Sequence, residues 1–489
     1  MRAQDLHLQL DPDSPAPLYL QVAGCLEDAI RHGRILPGVA LPSVRELAKR
    51  LGVHRNTVLA ALSELQAQGW VDTRERAGVF VKGQRPLPEG KMLEGGPPTA
   101  PGFDLPSRFL PMTDPLPQEM DLSEPRADVR LAPTEAMARA YPRAMRRKGP
   151  ELLGVEEYKG QRRLRDALAA HLSEQRGLRV DPERILVTRG TGMALNLVAQ
   201  ALVGPGGADA AMEDPGDPVV RGLLKGFPGL RLHALPVDHG GLRMDSLQAL
   251  LDRVPLKFLV LSPQCQLPTG VALTGPRRAK LLELAQTHRV ALIELDPEYD
   301  HHFGSGLPPR PLAAEDSSGQ VIYIGSLSRV LAPGLHAGYL AAAGLLVDRL
   351  AKIQQRMDWQ GDRVLEWALS ELFLDGDFNR QLRKLQKTGL ERRDALVNAL
   401  GEFCGEALSV HPSEVGMGLW VEGKGHLEDP AQFEAWIRIC REGGLKLRQG
   451  SSFDHEGRPK AATRIAFAAF EPEELRHAAM RMGQAMARS

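Results

Sequence analysis

Two groups of residues have side chains and spacing suited to chemistry. In the first, Arg55-Asn56-Thr57 stands on the opening turn of an amphipathic segment. Arginine can bond guanine through two parallel hydrogen bonds, asparagine can do the same with adenine, and a short hydroxyl can hold a phosphate. Ser43 and Arg45 open the segment before it, where free amides and a cation can clamp a nucleic-acid backbone. Taken singly, each is an ordinary polar residue on a solvated helix start. In the second group, Gly190-Thr191-Gly192 lies between a short apolar strand and a helix. Free amides and the helix dipole there can hold a phosphate, although such glycine turns also serve geometry alone. Ser326 and Ser328 can add hydroxyl bonds to the same anion.

The elements that must position the first group can be read from periodicity. Leu18, Val22, Leu26 and Ile30 share one helical face, and Ser43-Val44-Arg45-Glu46 has the Ser-x-x-Glu pattern of a capped second helix. Gly52 ends that helix. His54 to Gln68 forms a third, with Val58, Leu62 and Leu65 inward. The period then changes to that of two short strands, Trp70 to Thr73 and Val79 to Val81, joined by a hairpin that holds Arg74, Arg76 and Gly78. Three helices and a two-stranded wing over residues 1–82 describe a winged helix-turn-helix.

Residues 83–119 carry nine prolines among several glycines, the composition of an extended, semi-stiff linker. From 120 onward apolar strands alternate with amphipathic helices. Strands are expected at 185–187, 258–262, 290–296, 321–325 and 338–342, with helices such as Met193 to Leu202 and Arg277 to Thr287 between them. This predicts an α/β body whose mostly parallel sheet is covered by helices on both faces, over 120–372. A smaller α+β subdomain follows over 373–489.

Composition sets bounds on function. With 61 basic and 61 acidic residues in 489, no overall charge favours a polyanion, so a nucleic-acid reading rests on local placement. The longest apolar runs, such as Gly338 to Val347, fall far short of the ~20 residues that span a bilayer, and no charged-then-apolar leader opens the chain. Four cysteines without metal-like spacing read as reduced thiols in a cytoplasmic protein. His301 and His302 are adjacent on an irregular segment and point apart, so no metal site is expected.

Leu41-Pro42-Ser43-Val44-Arg45-Glu46-Leu47-Ala48, Leu51-Gly52-Val53-His54-Arg55-Asn56-Thr57-Val58, Gln68-Gly69-Trp70 and Gly78-Val79-Phe80-Val81 together resemble the GntR family of bacterial transcription factors. His54 stands where that family usually has Ser or Thr. Behind this module, Val187-Thr188-Arg189-Gly190-Thr191, Glu213-Asp214-Pro215-Gly216, Pro268-Thr269-Gly270-Val271, Tyr323-Ile324-Gly325-Ser326-Leu327-Ser328 and Arg464-Ile465-Ala466-Phe467 resemble the MocR/GabR subfamily. The body of that subfamily is a fold type I aminotransferase that uses pyridoxal phosphate. The resemblance implies that Asp296 sits against the cofactor's pyridine nitrogen, that Tyr299 reaches its ring hydroxyl, and that Arg464 holds a substrate carboxylate. An ungapped match instead puts Pro297 or Glu298 at the aspartate position, and a structural salt bridge is the other reading of Arg464.

The same resemblance marks losses. The lysine that joins the cofactor covalently is replaced by Arg329, whose guanidinium stays protonated and cannot attack an aldehyde. The arginine expected on the phosphate is His336. The aromatic expected to stack on the ring is Asp217. Met193 and Val155 replace a polar and an aromatic neighbour, and the nearest flanking lysines are Lys280 and Lys352. Two roles are open to Arg329: holding an anion, or filling the vacated cavity through an ion pair with Asp296.

The expectation is a cytoplasmic regulator that binds a double-stranded DNA operator and has no catalytic residues. Its degenerate aminotransferase-like body would serve homodimerisation, head to tail, and the sensing of a small anionic effector such as an amino acid or pyridoxal phosphate. The alternatives are a regulator or aminotransferase that holds pyridoxal phosphate non-covalently or through another lysine, and a closed pocket serving only as a scaffold.

Overall fold

The computed structural model describes residues 10, 14, 16–74, 78–82, 119–154, 158–304, 310–358 and 361–487. Arg76, Val155 and residues 83–118 of the expected linker lie outside them. The chain divides into two compact units, Met1–Pro111 and Met112–Ser489.

In the first unit, helices Leu18–Arg31, Val44–Leu51 and Arg55–Ala67 close on a core that includes Val22, Leu26, Val58, Leu62 and Leu65. Ser43 caps the second helix by accepting from the Glu46 amide at 3.3 Å. The Glu46 carboxylate, expected to complete a capping box, is engaged by Arg50 one turn on. Gly52 ends this helix in the left-handed region, at φ +64°, where a side chain would be strained. Strands Val71–Arg74 and Gly78–Val81 pair antiparallel, Val71 opposite Val81 and Arg74 opposite Gly78, and form the wing.

The second unit is built on an eight-stranded sheet. Its order is Ile185–Thr188, Gly338–Ala341, Val321–Ser326, Ala291–Leu295, Leu256–Leu261, Ala208–Asp214, Leu230–Asp238 and Gly241–Leu242. The strands from Val321–Ser326 to Leu230–Asp238 are mutually parallel. Gly338–Ala341 runs antiparallel to both of its neighbours, and the edge strand Gly241–Leu242 is also antiparallel. Val321–Ser326 and Ile185–Thr188 are buried at every position, as a sheet covered on both faces requires. Ala208–Asp214 and Leu230–Asp238 escape the sequence reading because the first is rich in alanine and acid and the second mixes polar with apolar residues.

A smaller layer follows. Helix Asp377–Cys404 leads into an antiparallel sheet of Leu408–His411, Gly418–Gly423 and Ala462–Ala466. Helices Pro430–Glu442 and Pro472–Met486 share its core, where Trp436, Phe433, Leu400 and Ile465 are buried. Met120–Asp121, from the start of this unit, joins this layer by pairing with Leu445–Lys446.

Candidate functional site

The first surface lies at the N-terminus of helix Arg55–Ala67. His54 caps it, Nδ1 accepting from the Asn56 amide at 3.2 Å. This gives the unusual residue at 54 a physical role, since its ring nitrogen replaces the oxygen of a Ser or Thr cap. Arg55 and Asn56 are exposed and Thr57 is half-buried, with Val58 behind them in the core. Ser43 and Arg45 are at the start of the preceding helix, both exposed, with Ser43 the cap itself. On the wing, the Arg74 guanidinium lies 4.5 Å from the centre of the Phe80 ring, which holds the exposed cation in place. Gly78 opens the second wing strand at φ +105°.

In the body, strand register gathers the glycine turn and the serines. Ser326 lies opposite Gly338, and Gly338 opposite Thr188, so the three stand abreast at one edge. The Gly190-Thr191-Gly192 turn follows Thr188 closely and begins helix Gly190–Leu202. A Cβ on Gly338 would fall 2.8 Å from the Gly190 backbone, so this close approach requires glycine. The two hydroxyls are already engaged. Ser326 is buried and accepts from the Arg329 amide at 3.3 Å. Ser328 accepts from the Ala337 amide at 2.8 Å and lies 3.2 Å from its carbonyl. His336 is in the left-handed region, after the short helical turn Pro333–Leu335.

Asp296 follows strand Ala291–Leu295, its amide donating to the Ile324 carbonyl at 2.9 Å, and is 4% exposed. The Tyr323 hydroxyl donates to its Oδ2 at 2.6 Å, and the buried Arg176 guanidinium lies 3.8 Å away. Arg176 also pairs with Asp300 at 2.7 Å and stands 4.6 Å from the Tyr299 ring. Burial pushes the Asp296 carboxyl up to about 7 in spite of the attraction of Arg176. The expected ion pair between Arg329 and Asp296 does not form. Asp296 is served by Arg176 and Tyr323, while Arg329 donates to the Pro125 carbonyl. Tyr299 lies against the Arg176 guanidinium, a buried partner that the sequence spacing does not reveal.

Arg464 is 5% exposed and bonds Glu298 through both oxygens, at 2.7 and 3.2 Å. Glu298 also accepts from the Met417 amide at 2.9 Å. Burial opposes its charge, but Arg464 outweighs burial and holds the carboxyl down at about 2. Of the two readings of Arg464, the structure therefore contains the salt bridge. Asp217 caps helix Pro218–Lys225, accepting from the Val219 amide at 2.7 Å. Asp217, Arg329 and Arg464 line one cavity of about 70 Å³, together with Arg448, Leu267 and Phe453. No lysine is among the described residues that line it. His301 is buried with Nε2 3.1 Å from the Arg329 carbonyl, and His302 bridges to Val415. Sequence reasoning missed Glu298 as the partner of Arg464, and also Arg176, Tyr323 and Arg448. Each acts through a contact distant in sequence.

The profile of the family "Aminotransferase class I and II" matches residues 119–482, and that of "Bacterial regulatory proteins, gntR family" matches residues 18–81. The chain is 29% identical over 417 residues to YisV of Bacillus subtilis (strain 168), named as an uncharacterized HTH-type transcriptional regulator, covering 83% of this chain and 84% of that protein. It is 26% identical over 472 residues to the probable rhizopine catabolism regulatory protein MocR of Rhizobium meliloti, covering 96% and 94%. Among solved structures, LysN, an α-aminoadipate aminotransferase of Thermus thermophilus, superposes with a TM-score of 0.69 at 26% identity, covering 76% of this chain and 93% of that one.

Proposed function

Since this chain belongs to the aminotransferase class I and II family and carries a gntR-family domain ahead of it, we propose that it is a cytoplasmic transcriptional regulator of the MocR/GabR kind whose body senses an effector without covalent pyridoxal phosphate chemistry. What supports this reading is Arg329, which the resemblance of Ser326-Leu327-Ser328-Arg329 to the subfamily puts where the cofactor's lysine would stand, and the absence of lysine among the described residues lining the adjoining cavity. A protonated guanidinium offers no nucleophile, and no other described residue lining the cavity offers an amine.

The residues present do not fit the covalently held cofactor. Asp217 offers a charge where a ring would stack, and its carboxylate caps a helix. Asp296 is bonded to Tyr323 within a buried cluster. Arg464, suited to a substrate carboxylate, already holds Glu298. Non-covalent binding of pyridoxal phosphate is a second reading, and the Gly190 turn beside Ser326 is the observation that favours it.

On the DNA side, exposed Arg55 and Asn56 would supply base-edge contacts, while Ser43, Arg45 and the wing residues Arg74 and Gly78 would position the backbone, a role the sequence also suggests for Arg76. A head-to-tail homodimer would present two such modules to paired half-sites. An effector that prefers one arrangement of the dimer shifts operator affinity by no more than its differential binding.

Mixing the purified chain with pyridoxal phosphate, reducing with borohydride and reading intact mass tests the proposal. No adduct at a pocket lysine is expected; one mapped there would overturn it. A saturable visible band without an adduct would move the reading to non-covalent sensing. Sedimentation velocity tests the dimer.

A further inference from the structure

Residues 119–125 form a strap across the pocket. Its first half is fixed to the small subdomain: Met120–Asp121 pairs with Leu445–Lys446, and the Ala466 amide donates to the Leu122 carbonyl at 2.9 Å. Its second half, Ser123 to Pro125, lines the cavity. Two guanidiniums hold that half. Arg448 reaches the Ser123 carbonyl and the Glu124 carboxylate, and Arg329 donates to the Pro125 carbonyl.

The three cavity arginines are not equivalent. Arg464 has Glu298 and Arg448 has Glu124. Arg329 donates to a neutral carbonyl; the Glu298 carboxylate feels its charge but is bonded to Arg464, and among the described residues no carboxylate oxygen lies within ion-pair distance of Arg329. A hydrogen bond between two charged groups is roughly twice as strong as one to a neutral acceptor. An entering carboxylate would therefore compete with the Pro125 carbonyl for Arg329.

The rest of the lining selects the ligand. Pro218, Val219, Leu267, Pro268 and Phe453 are apolar, and a cavity of about 70 Å³ suits a short chain. Of the two carboxylates that an ammonium group could meet, Asp217 already accepts the Val219 and Val220 amides through Oδ1 and Glu124 is paired with Arg448, so both offer it less than a free carboxylate would.

We propose that this cavity binds a short aliphatic monocarboxylate anchored on Arg329, and that binding frees Pro125 and loosens the strap. The inference rests on the reading of the body as an effector sensor. It gives the lysine-to-arginine exchange a use, since the side chain keeps its charge and captures an anion where the lysine would form a bond.

The test is calorimetric titration of the full chain with butyrate, with hydrogen exchange of the amides at 122–126 read with and without it. Saturable binding, faster exchange in the strap, and affinity lower by about 10-fold or more in Arg329→Gln are expected. Arg329→Lys, which keeps the charge, should retain part of the affinity, and thermal melts of both variants exclude misfolding. The proposal is overturned by absence of binding, by unchanged affinity in Arg329→Gln, or by unchanged strap exchange. It is equally overturned if alanine binds as tightly as butyrate or if inorganic phosphate displaces butyrate at equal concentration. Binding to labelled duplexes selected by the protein from a random pool reports the regulator reading separately. If DNA binding persists and butyrate fails, only this inference falls; if butyrate binds and DNA does not, the regulator reading falls.

Discussion

Glu298 and Arg464 face each other as a buried pair joined by two hydrogen bonds, at 2.7 and 3.2 Å, so the arginine that suits a substrate carboxylate is satisfied by a carboxylate of its own chain. Removing one partner of such a pair leaves an uncompensated buried charge. Glu298→Ala is expected to cost about 3–5 kcal/mol, whereas Glu298→Leu combined with Arg464→Met should cost much less. Urea denaturation of the single and double variants checks this. Equal losses would mean that packing, not charge pairing, dominates at the site.

Arg55→Ala should weaken operator binding by about 1–3 kcal/mol if Arg55 reads a base, with the loss concentrated at one position of the site. Fluorescence anisotropy on a set of singly substituted duplexes measures it. A uniform loss across sequences would assign Arg55 to a phosphate instead.

His54 acts as a helix cap, so His54→Ala should destabilise the start of Arg55–Ala67 by about 0.5–2 kcal/mol, while His54→Ser restores an accepting oxygen and should not. Hydrogen exchange at the Asn56 and Thr57 amides distinguishes the two variants. Equal protection in both would remove the capping role.

Two buried carboxyls link stability to pH. Burial raises Asp296 from its ordinary 3.8 to about 7, and Glu213 from 4.5 to about 7. Between about pH 4 and 7 the folded chain therefore holds protons that the unfolded chain has released, and the contribution of these groups to stability falls as pH rises through that window. Glu298 behaves oppositely: its contribution is complete above 4.5 and is lost as pH falls toward about 2. Asp296→Asn and Glu213→Gln should each flatten the decline between about pH 4 and 7, as read from urea midpoints. A steeper decline in either variant would contradict the assignment.

Wherever structure depends on neighbours in sequence, the chain was legible. Ser43, Gly52, and Arg55 to Thr57 occupy cap, stop and first turn as their spacing requires, because capping and helical periodicity act within about four residues. The fully buried strands Ile185–Thr188 and Val321–Ser326 show as apolar runs. Ala208–Asp214 does not, because burial on both faces is imposed on it by helices and strands elsewhere in the chain.

The site divides in the same way. Sequence alone determined that position 329 offers a guanidinium and no amine, since that is covalent chemistry and independent of the fold. Which acceptor that guanidinium finds was decided only by the tertiary structure. It brings Pro125 from 204 residues away, while Arg176 and Tyr323 take Asp296 and Glu298 takes Arg464. A buried charge requires some partner, but which one is set by long-range packing that no local spacing encodes.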